Sequence, residues 1–134
     1  MAWSYSQFSG DLVYDGRRIA FGYSGNGAAK NNPLAQSEAN HGPIPQGLYT
    51  MQEPIDSPTH GPYAIPLVPF PSNLMFERFG FLVHGDSLVS PGQASDGCII
   101  LPRSVREQMW NSGDHTLSVV SGFMPADLDG EIAT

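Results

Sequence analysis

The sequence is poor in cysteine, in basic residues and in long apolar runs. A single cysteine excludes an intrachain disulfide framework, and it excludes a structural zinc site built on two or more thiolates. Six lysines and arginines stand against 13 acidic residues, which gives a formal net charge of −7. This balance argues against binding to nucleic acid or to an anionic membrane surface. No apolar run is long enough to cross a bilayer, so we expect no membrane insertion.

A signal peptide is also missing from the sequence pattern. The first twelve residues contain no basic residue followed by an apolar segment. We therefore expect synthesis in the cytoplasm without a signal peptide, and export, if any, by a route that needs no cleaved leader.

Glycine and proline are abundant instead, with 15 and 12 residues in a chain of 134. Such a composition favours short strands joined by many turns over a helical bundle. The length is typical of one domain with one core. We predict a mostly β, single catalytic domain over residues 1–125, followed by a flexible acidic tail over residues 126–134.

The local patterns place most elements along the chain. Asp15-Gly16 predicts a tight hairpin turn, because both central positions of a type I′ turn need positive φ. The run 74–83 is largely apolar and predicts a central strand buried on both faces. Residues 102–110 predict the one good helix, and residues 24–42 a long polar loop. Further strands are predicted at 3–8, 12–14, 17–23, 48–52, 63–68 and 116–120, with Pro66 and Pro69 confining 63–68 to a sheet edge.

The chemistry is expected in residues 81–101, where a buried strand ends in His84-Gly85-Asp86 and a polar loop leads to Ser95-Asp96-Gly97-Cys98. A thiol attacks a carbonyl as thiolate, and a histidine can take its proton and return it to a leaving amine. His84 and Cys98 therefore suit a base and a nucleophile on neighbouring strands.

The residues around this pair suggest supporting roles. Backbone N–H groups of Gly97 and Cys98 are expected to form an oxyanion hole, and Ser95 and Asp96 to hold the turn. Asp86 lies two residues after the histidine, and we expect it to orient the imidazole or the substrate.

Two other interpretations stay open at this point. In the first, Cys98 is a buried apolar core residue of a non-catalytic β module that binds glycan or protein. In the second, His84 and Asp86 begin a zinc site with another histidine. The spacing matches no metal motif, and we expect the other histidines, His41, His60 and His115, at the surface.

The His-Gly-Asp and Ser-Asp-Gly-Cys-Ile-Ile-Leu segments resemble the signature of the L,D-transpeptidase (YkuD-like) catalytic domain. Residues 23–27, 31–33, 42–49 and 80–86 resemble a divergent branch of type VI secretion effectors that attack peptidoglycan. The likeness runs from about residue 12 to residue 119.

The resemblance implies a small β sandwich or barrel-like fold, with the cysteine in a cleft and one short helix after it. Cys98 matches the family nucleophile and His84 the family base, and no cofactor or metal is implied. The enzyme would cleave the meso-diaminopimelate–D-alanine bond of a peptidoglycan tetrapeptide stem, as a carboxypeptidase or a transpeptidase. It would act in the periplasm of target bacteria, and its partners would be an immunity protein and a component of the secretion apparatus.

Two positions depart from the ordinary family pattern. Asp96 stands where a histidine usually precedes Gly-Cys, and Ile100 stands where an arginine is frequent. The arginine that meets a substrate carboxylate must then come from elsewhere, and Arg78 and Arg103 are the nearest in sequence. We expect Arg78, Tyr49 and Gly85 to bind substrate.

Overall fold

A computed structural model describes residues 2–123. The predicted tail over residues 126–134, and the last two residues of the predicted domain, lie outside the described residues. Within residues 2–123, no helix is long and apolar enough to span a bilayer.

The described chain forms ten strands, one α-helix and two short 3-10 helices, which confirms a mostly β, small single domain. The strands are β1 Trp3–Ser6, β2 Asp11–Tyr14, β3 Arg17–Phe21, β4 Tyr23–Ser24, β5 Gly47–Met51, β6 Ile55–Ser57, β7 Gly61–Pro69, β8 Leu82–His84, β9 Ile99–Ile100 and β10 Thr116–Val120. The α-helix, α1, spans Arg103–Asn111, and the 3-10 helices span Gly27–Ala29 and Pro33–Ala35. The strand order is β3-β2-β1-β10-β5-β7-β8-β9-β4, with β6 paired to β7.

The core lies against the middle of this strand order. Trp3 of β1 is paired with Leu117 of β10, which in turn is paired with Tyr49 of β5. All three side chains are buried, and alternate residues along the same strands join them. Full burial of such a side chain is worth roughly 1.5–3 kcal/mol. Tyr49, which we expected to bind substrate, therefore belongs to the core.

The helix begins where the sequence predicts and covers the site from one side. Pro102 is its N-cap, and Val105 and Met109 lie on one buried face at a spacing of four. This face packs against β7 and β8. Arg106, between them, is buried as well and is 3% exposed.

Strand β7 is interior, so its predicted edge position is wrong. Residues 67–69 pair with β5, Ile65 and Pro66 pair with β8, and the start of the strand pairs with β6. Proline is tolerated because β7 pairs with different strands along its length, and Pro66 needs only to accept a backbone hydrogen bond. Its carbonyl oxygen receives the N–H of Gln52 at 2.9 Å.

The predicted central strand over residues 74–83 is mostly wrong too. The strand there is confined to Leu82–His84. Phe76 and Glu77 have φ values of 56° and 61°, which an extended strand cannot contain. Phe79 is 90% exposed rather than buried on both faces. The segment before β8 therefore forms an irregular wall beside the site.

Candidate active site

His84 and Cys98 lie at the ends of two neighbouring strands. His84 is the last residue of β8, Cys98 immediately precedes β9, and these strands pair in parallel through Val83 and Ile99. The Cys98 Sγ atom and a ring nitrogen of His84 lie within 4.8 Å of each other. The two side chains are 8% and 3% exposed. The sheet thus brings together the two residues that the sequence singled out.

The imidazole of His84 is held by a backbone carbonyl. Nδ1 lies 2.9 Å from the carbonyl oxygen of Gly85, and a carbonyl only accepts, so the hydrogen is on Nδ1. Nε2 then carries the lone pair, and it is buried without a hydrogen-bond partner among the described residues. A buried acceptor left unpaired costs about 1–3 kcal/mol, which is a reason to suspect function at this atom.

Asp86 makes no hydrogen bond to His84 among the described residues, and its predicted role of orienting the substrate stays a prediction. Its exposed carboxylate accepts the Tyr23 hydroxyl at 2.6 Å and the N–H groups of Ser87 and Gly92 at 2.8 and 3.1 Å. These bonds organise the loop after β8, and the carbonyl of Gly85 orients the histidine instead.

Ser95 holds the turn before the cysteine. Its buried hydroxyl donates to the Cys98 carbonyl at 2.6 Å and accepts the N–H groups of Gly25 and Gly97 at 2.8 and 3.0 Å. The predicted support by Ser95 is present in this geometry. The N–H of Gly97 is used by that hydroxyl, which removes it from the predicted oxyanion hole and leaves the N–H of Cys98.

Glycine is required at position 97 for two reasons. Its φ is +140°, a conformation that residues with a side chain rarely adopt. A Cβ atom there would collide with Nη2 of Arg78 and come within 2.9 Å of Cε1 of Phe81. The turn therefore packs backbone directly against the arginine.

Arg78 joins this turn to the long loop. Its guanidinium donates to the carbonyl oxygens of Gln36, Pro43, Gly42 and Asp96 at 2.6, 2.8, 2.9 and 3.2 Å. The side chain is 8% exposed and also lies over the Phe81 ring. These bonds make Arg78 a positioning residue for the turn, and Asp96 takes part through its carbonyl while its side chain is exposed.

Two polar residues of the long loop support the same turn, and the sequence singled them out only as part of the resembling segment 23–27, without this role. The Ser24 hydroxyl donates to the carbonyl of Gly97 at 2.8 Å and accepts the N–H of Ile44 at 2.9 Å. The Asn26 amide donates to the carbonyl of Ser95 at 2.9 Å. The sequence feature that could have identified Ser24 and Asn26 is the polar segment Ser-Gly-Asn-Gly, but ordinary loops have the same pattern.

Sequence reasoning gave Arg106 no role, and it considered His60 only as a surface histidine or as one of the histidines of a zinc site. Arg106 donates to the carbonyls of Leu101, Tyr63 and Pro62 at 2.6, 2.9 and 3.1 Å. His60 lies in the turn between β6 and β7, and its ring centroid is 4.7 Å from that of His84. The structure thus adds a buried cation and a second imidazole to the predicted pair.

Burial favours the neutral form of both side chains. Burial raises the pKa of the Cys98 thiol to about 11, and the N–H of Leu82, 3.3 Å from Sγ, offsets only part of this. Burial lowers the pKa of His84, and His60 and Arg106 act in the same direction. A neutral thiol beside a basic imidazole is suited to transfer its proton during the attack on substrate, rather than to exist as a thiolate before substrate binds.

Two grooves meet at this point. Cys98 lies in one of about 490 Å³, whose wall includes Arg78, Phe79 and Asp96. His84 lies in the other, of about 570 Å³, whose wall includes Gly85 and Arg106. His60 borders both grooves. Tyr49 borders neither, since it is fully buried and its hydroxyl donates to the carbonyl of Pro45 at 2.7 Å.

A possible metal-ligand set differs from the one considered in the sequence. One ligand atom each from His60, His84 and Cys98 lies within 4.8 Å of the others. Asp86, the predicted companion of His84 in such a site, is not part of this group. Two imidazoles and one sulfur are donors that suit a borderline or soft metal ion.

Most of the chain matches the model of a known protein family. Residues 18–121 match the Tlde1 domain, and this span includes both Cys98 and His84. Searches of curated proteins and of solved structures returned no significant match. The matched span covers most of the sequence, and the chain therefore belongs to the Tlde1 domain family, a family of type VI secretion effector domains.

Proposed function

We propose that this effector domain is a cysteine-dependent L,D-carboxypeptidase or L,D-transpeptidase that acts on the stem peptides of peptidoglycan. The observation that carries the proposal is the placement of Cys98 Sγ within 4.8 Å of a ring nitrogen of His84, with each of the two side chains lining a groove. The family match supports an effector, and the substrate class comes from the resemblance of the His-Gly-Asp and Ser-Asp-Gly-Cys segments.

The reaction follows from the neutral pair. Sγ of Cys98 attacks the carbonyl carbon of the scissile amide, and its proton passes to Nε2 of His84. The tetrahedral intermediate collapses, the C–N bond breaks, and the imidazolium returns the proton to the departing amine. A thioester to Cys98 remains. Water attack on it gives carboxypeptidase activity, and attack by an amine gives exchange or cross-linking.

The backbone supplies the rest of the machinery in this proposal. The N–H of Cys98 is the donor offered to the developing oxyanion, since Ser95 takes the N–H of Gly97. The hydrogen bond from Nδ1 of His84 to Gly85 stabilises the imidazolium, because a carbonyl accepts more strongly from a cation.

The charges of the grooves suit a stem peptide. Arg78 and Arg106 each donate to backbone carbonyls, and no ion pair joins either to a carboxylate among the described residues. Glu77 and Asp96 line the Cys98 groove as well. A substrate with both carboxylates and an ammonium group, such as a diaminopimelate stem, matches this mixture. Direct contact of Arg78 or Gly85 with substrate remains a prediction.

The test is digestion of purified tetrapeptide muropeptides. Wild type should release D-alanine, or form an exchange product with an added D-amino acid, and Cys98→Ala and His84→Ala should lose this activity. His115→Ala is a matched control, because His115 stacks on Trp110 outside both grooves. A wild-type protein that gives neither product refutes the proposal.

The same proposal implies partners. An effector that cleaves a bond present in its own producer needs a neutralising immunity protein there, and delivery requires a component of the secretion apparatus. Co-expression of the producer's immunity protein in the periplasm should protect a strain in which the domain is directed to the same compartment. In a separate binding assay, Cys98→Ala should bind the immunity protein as wild type does, because an immunity protein recognises the surface of the domain.

A further inference from the structure

We propose that His60, His84 and Cys98 form a binding site for Zn²⁺ or a similar borderline transition-metal ion, and that occupancy blocks the active site. The binding part stands on the geometry of the three side chains. The inhibition part rests on the proposed function, because it requires that Cys98 and His84 are the reacting groups.

The donor atoms are close enough for one ion. In a tetrahedral zinc site the metal lies about 2.3 Å from sulfur and about 2.0–2.1 Å from nitrogen, which places the donors roughly 3.3–3.6 Å apart. The three donors here lie within 4.8 Å of one another. A closure of roughly 1 Å completes the set, and it leaves a fourth position for water.

One of the donors is a lone pair with nothing else to bind. Nε2 of His84 is buried and has no hydrogen-bond partner among the described residues, while Nδ1 is held by the carbonyl of Gly85. A second-sphere carbonyl on the far ring nitrogen is the usual arrangement for a metal-bound histidine. The side chain is 97% buried, so water does not readily serve this atom.

The third ligand is the adjustable one. His60 is exposed in the turn between β6 and β7, whereas His84 and Cys98 are fixed at the ends of paired strands. Its Nδ1 is engaged by the hydroxyls of Thr59 and Ser57 at 2.9 and 3.2 Å, which directs Nε2 away from the turn. Small rotations of this side chain can close the site on the two fixed donors.

The surrounding charges set the selectivity. Arg78 and Arg106 lie close to Cys98 and His84 respectively, and both oppose a cation. An ion held mainly by charge, such as Mg²⁺ or Ca²⁺, is therefore disfavoured. An ion that bonds strongly to thiolate and imidazole is favoured, because coordination deprotonates the thiol.

The test begins with Co²⁺ as a spectroscopic probe of the purified domain. Wild type should bind one equivalent and show the visible bands of tetrahedral Co²⁺ together with a thiolate charge-transfer band. Cys98→Ser should lose the charge-transfer band, and His60→Ala should weaken binding at least about tenfold. His115→Ala should bind as wild type does, and Mg²⁺ should not compete.

Activity is measured separately. Zn²⁺ should inhibit the release of D-alanine, a chelator should restore it, and the activity that His60→Ala retains should need at least about tenfold more Zn²⁺ for the same inhibition. Absence of 1:1 binding, or binding unchanged in both Cys98→Ser and His60→Ala, overturns the site. Activation by Zn²⁺ overturns the inhibition and indicates a zinc peptidase. If no D-alanine is released under any condition, the proposed function fails while the spectra still decide the metal site.

Discussion

Nδ1 of His84 donates to the carbonyl of Gly85, 2.9 Å away, and this bond leaves Nε2 as the basic atom of the site. Burial lowers the pKa of His84 from its ordinary 6.5, with smaller contributions from His60 and Arg106. The imidazole therefore stays neutral, and able to accept a proton, under conditions where an ordinary histidine is already protonated.

The first prediction concerns the pH dependence of activity. Because the base must be neutral, kcat/KM for D-alanine release should still exceed half of its neutral-pH value at pH 6.5, and the midpoint of its acid limb should lie below 6.5, because the pKa of His84 is lowered. The measurement is a pH profile of kcat/KM on a tetrapeptide muropeptide. An acid limb with its midpoint above 6.5 contradicts this assignment.

The second prediction concerns the reactivity of the thiol. With a pKa of about 11, Cys98 is almost entirely protonated at neutral pH and should react slowly with iodoacetamide. The rate should rise roughly tenfold per pH unit on the alkaline side, until the fold is lost.

The unfolded chain is the control for that measurement. In denaturant the thiol is no longer buried, its pKa returns towards 9.0, and alkylation at neutral pH should be at least about tenfold faster. Fast and selective alkylation of the native protein at neutral pH would instead indicate a standing thiolate.

The third prediction concerns the clamp made by Arg78. Lysine cannot reach four carbonyls spread over two segments, so Arg78→Lys leaves buried acceptors unpaired and should lower the free energy of unfolding by about 3 kcal/mol. Arg103→Lys changes an exposed side chain paired with Glu107, and should shift stability by about 0.5 kcal/mol or less. Chemical denaturation of both variants gives the comparison. Equal losses would show that the carbonyl bonds of Arg78 contribute little.

The fourth prediction separates backbone strain from packing at the turn. Gly97→Ala places a Cβ against the guanidinium of Arg78 and also forces alanine into positive φ. Gly113→Ala has positive φ as well, but its Cβ meets nothing within 4 Å. The second variant should cost about 1 kcal/mol, and the first about 1–3 kcal/mol more, with loss of D-alanine release.

Thermal or chemical unfolding of both glycine variants, alongside the activity assay, decides this point. If Gly97→Ala is as stable and as active as Gly113→Ala, the turn is not held against the arginine as described.

Local features of the fold were determined by the sequence alone. The hairpin at Asp15-Gly16, the helix after Cys98 and the last strand were predictable, because turn chemistry and periodicity act over a few residues. The sequence also predicted that His84 and Cys98 lie together, because one strand ends at His84 and another begins directly after Cys98.

Tertiary structure decided what surrounds that pair. Ser24 reaches Gly97 across 73 positions, and Arg78 reaches Gln36 across 42, so no local pattern records these contacts. Asp86 lies two residues from His84 in sequence, but its carboxylate accepts a hydrogen bond from Tyr23 instead. The ring of His60, from the turn between β6 and β7, contacts the ring of His84. A periodicity shows which face of an element is apolar. The hydrogen-bond partner of a polar side chain depends instead on packing, which decides which backbone atoms from distant segments lie beside it without another partner.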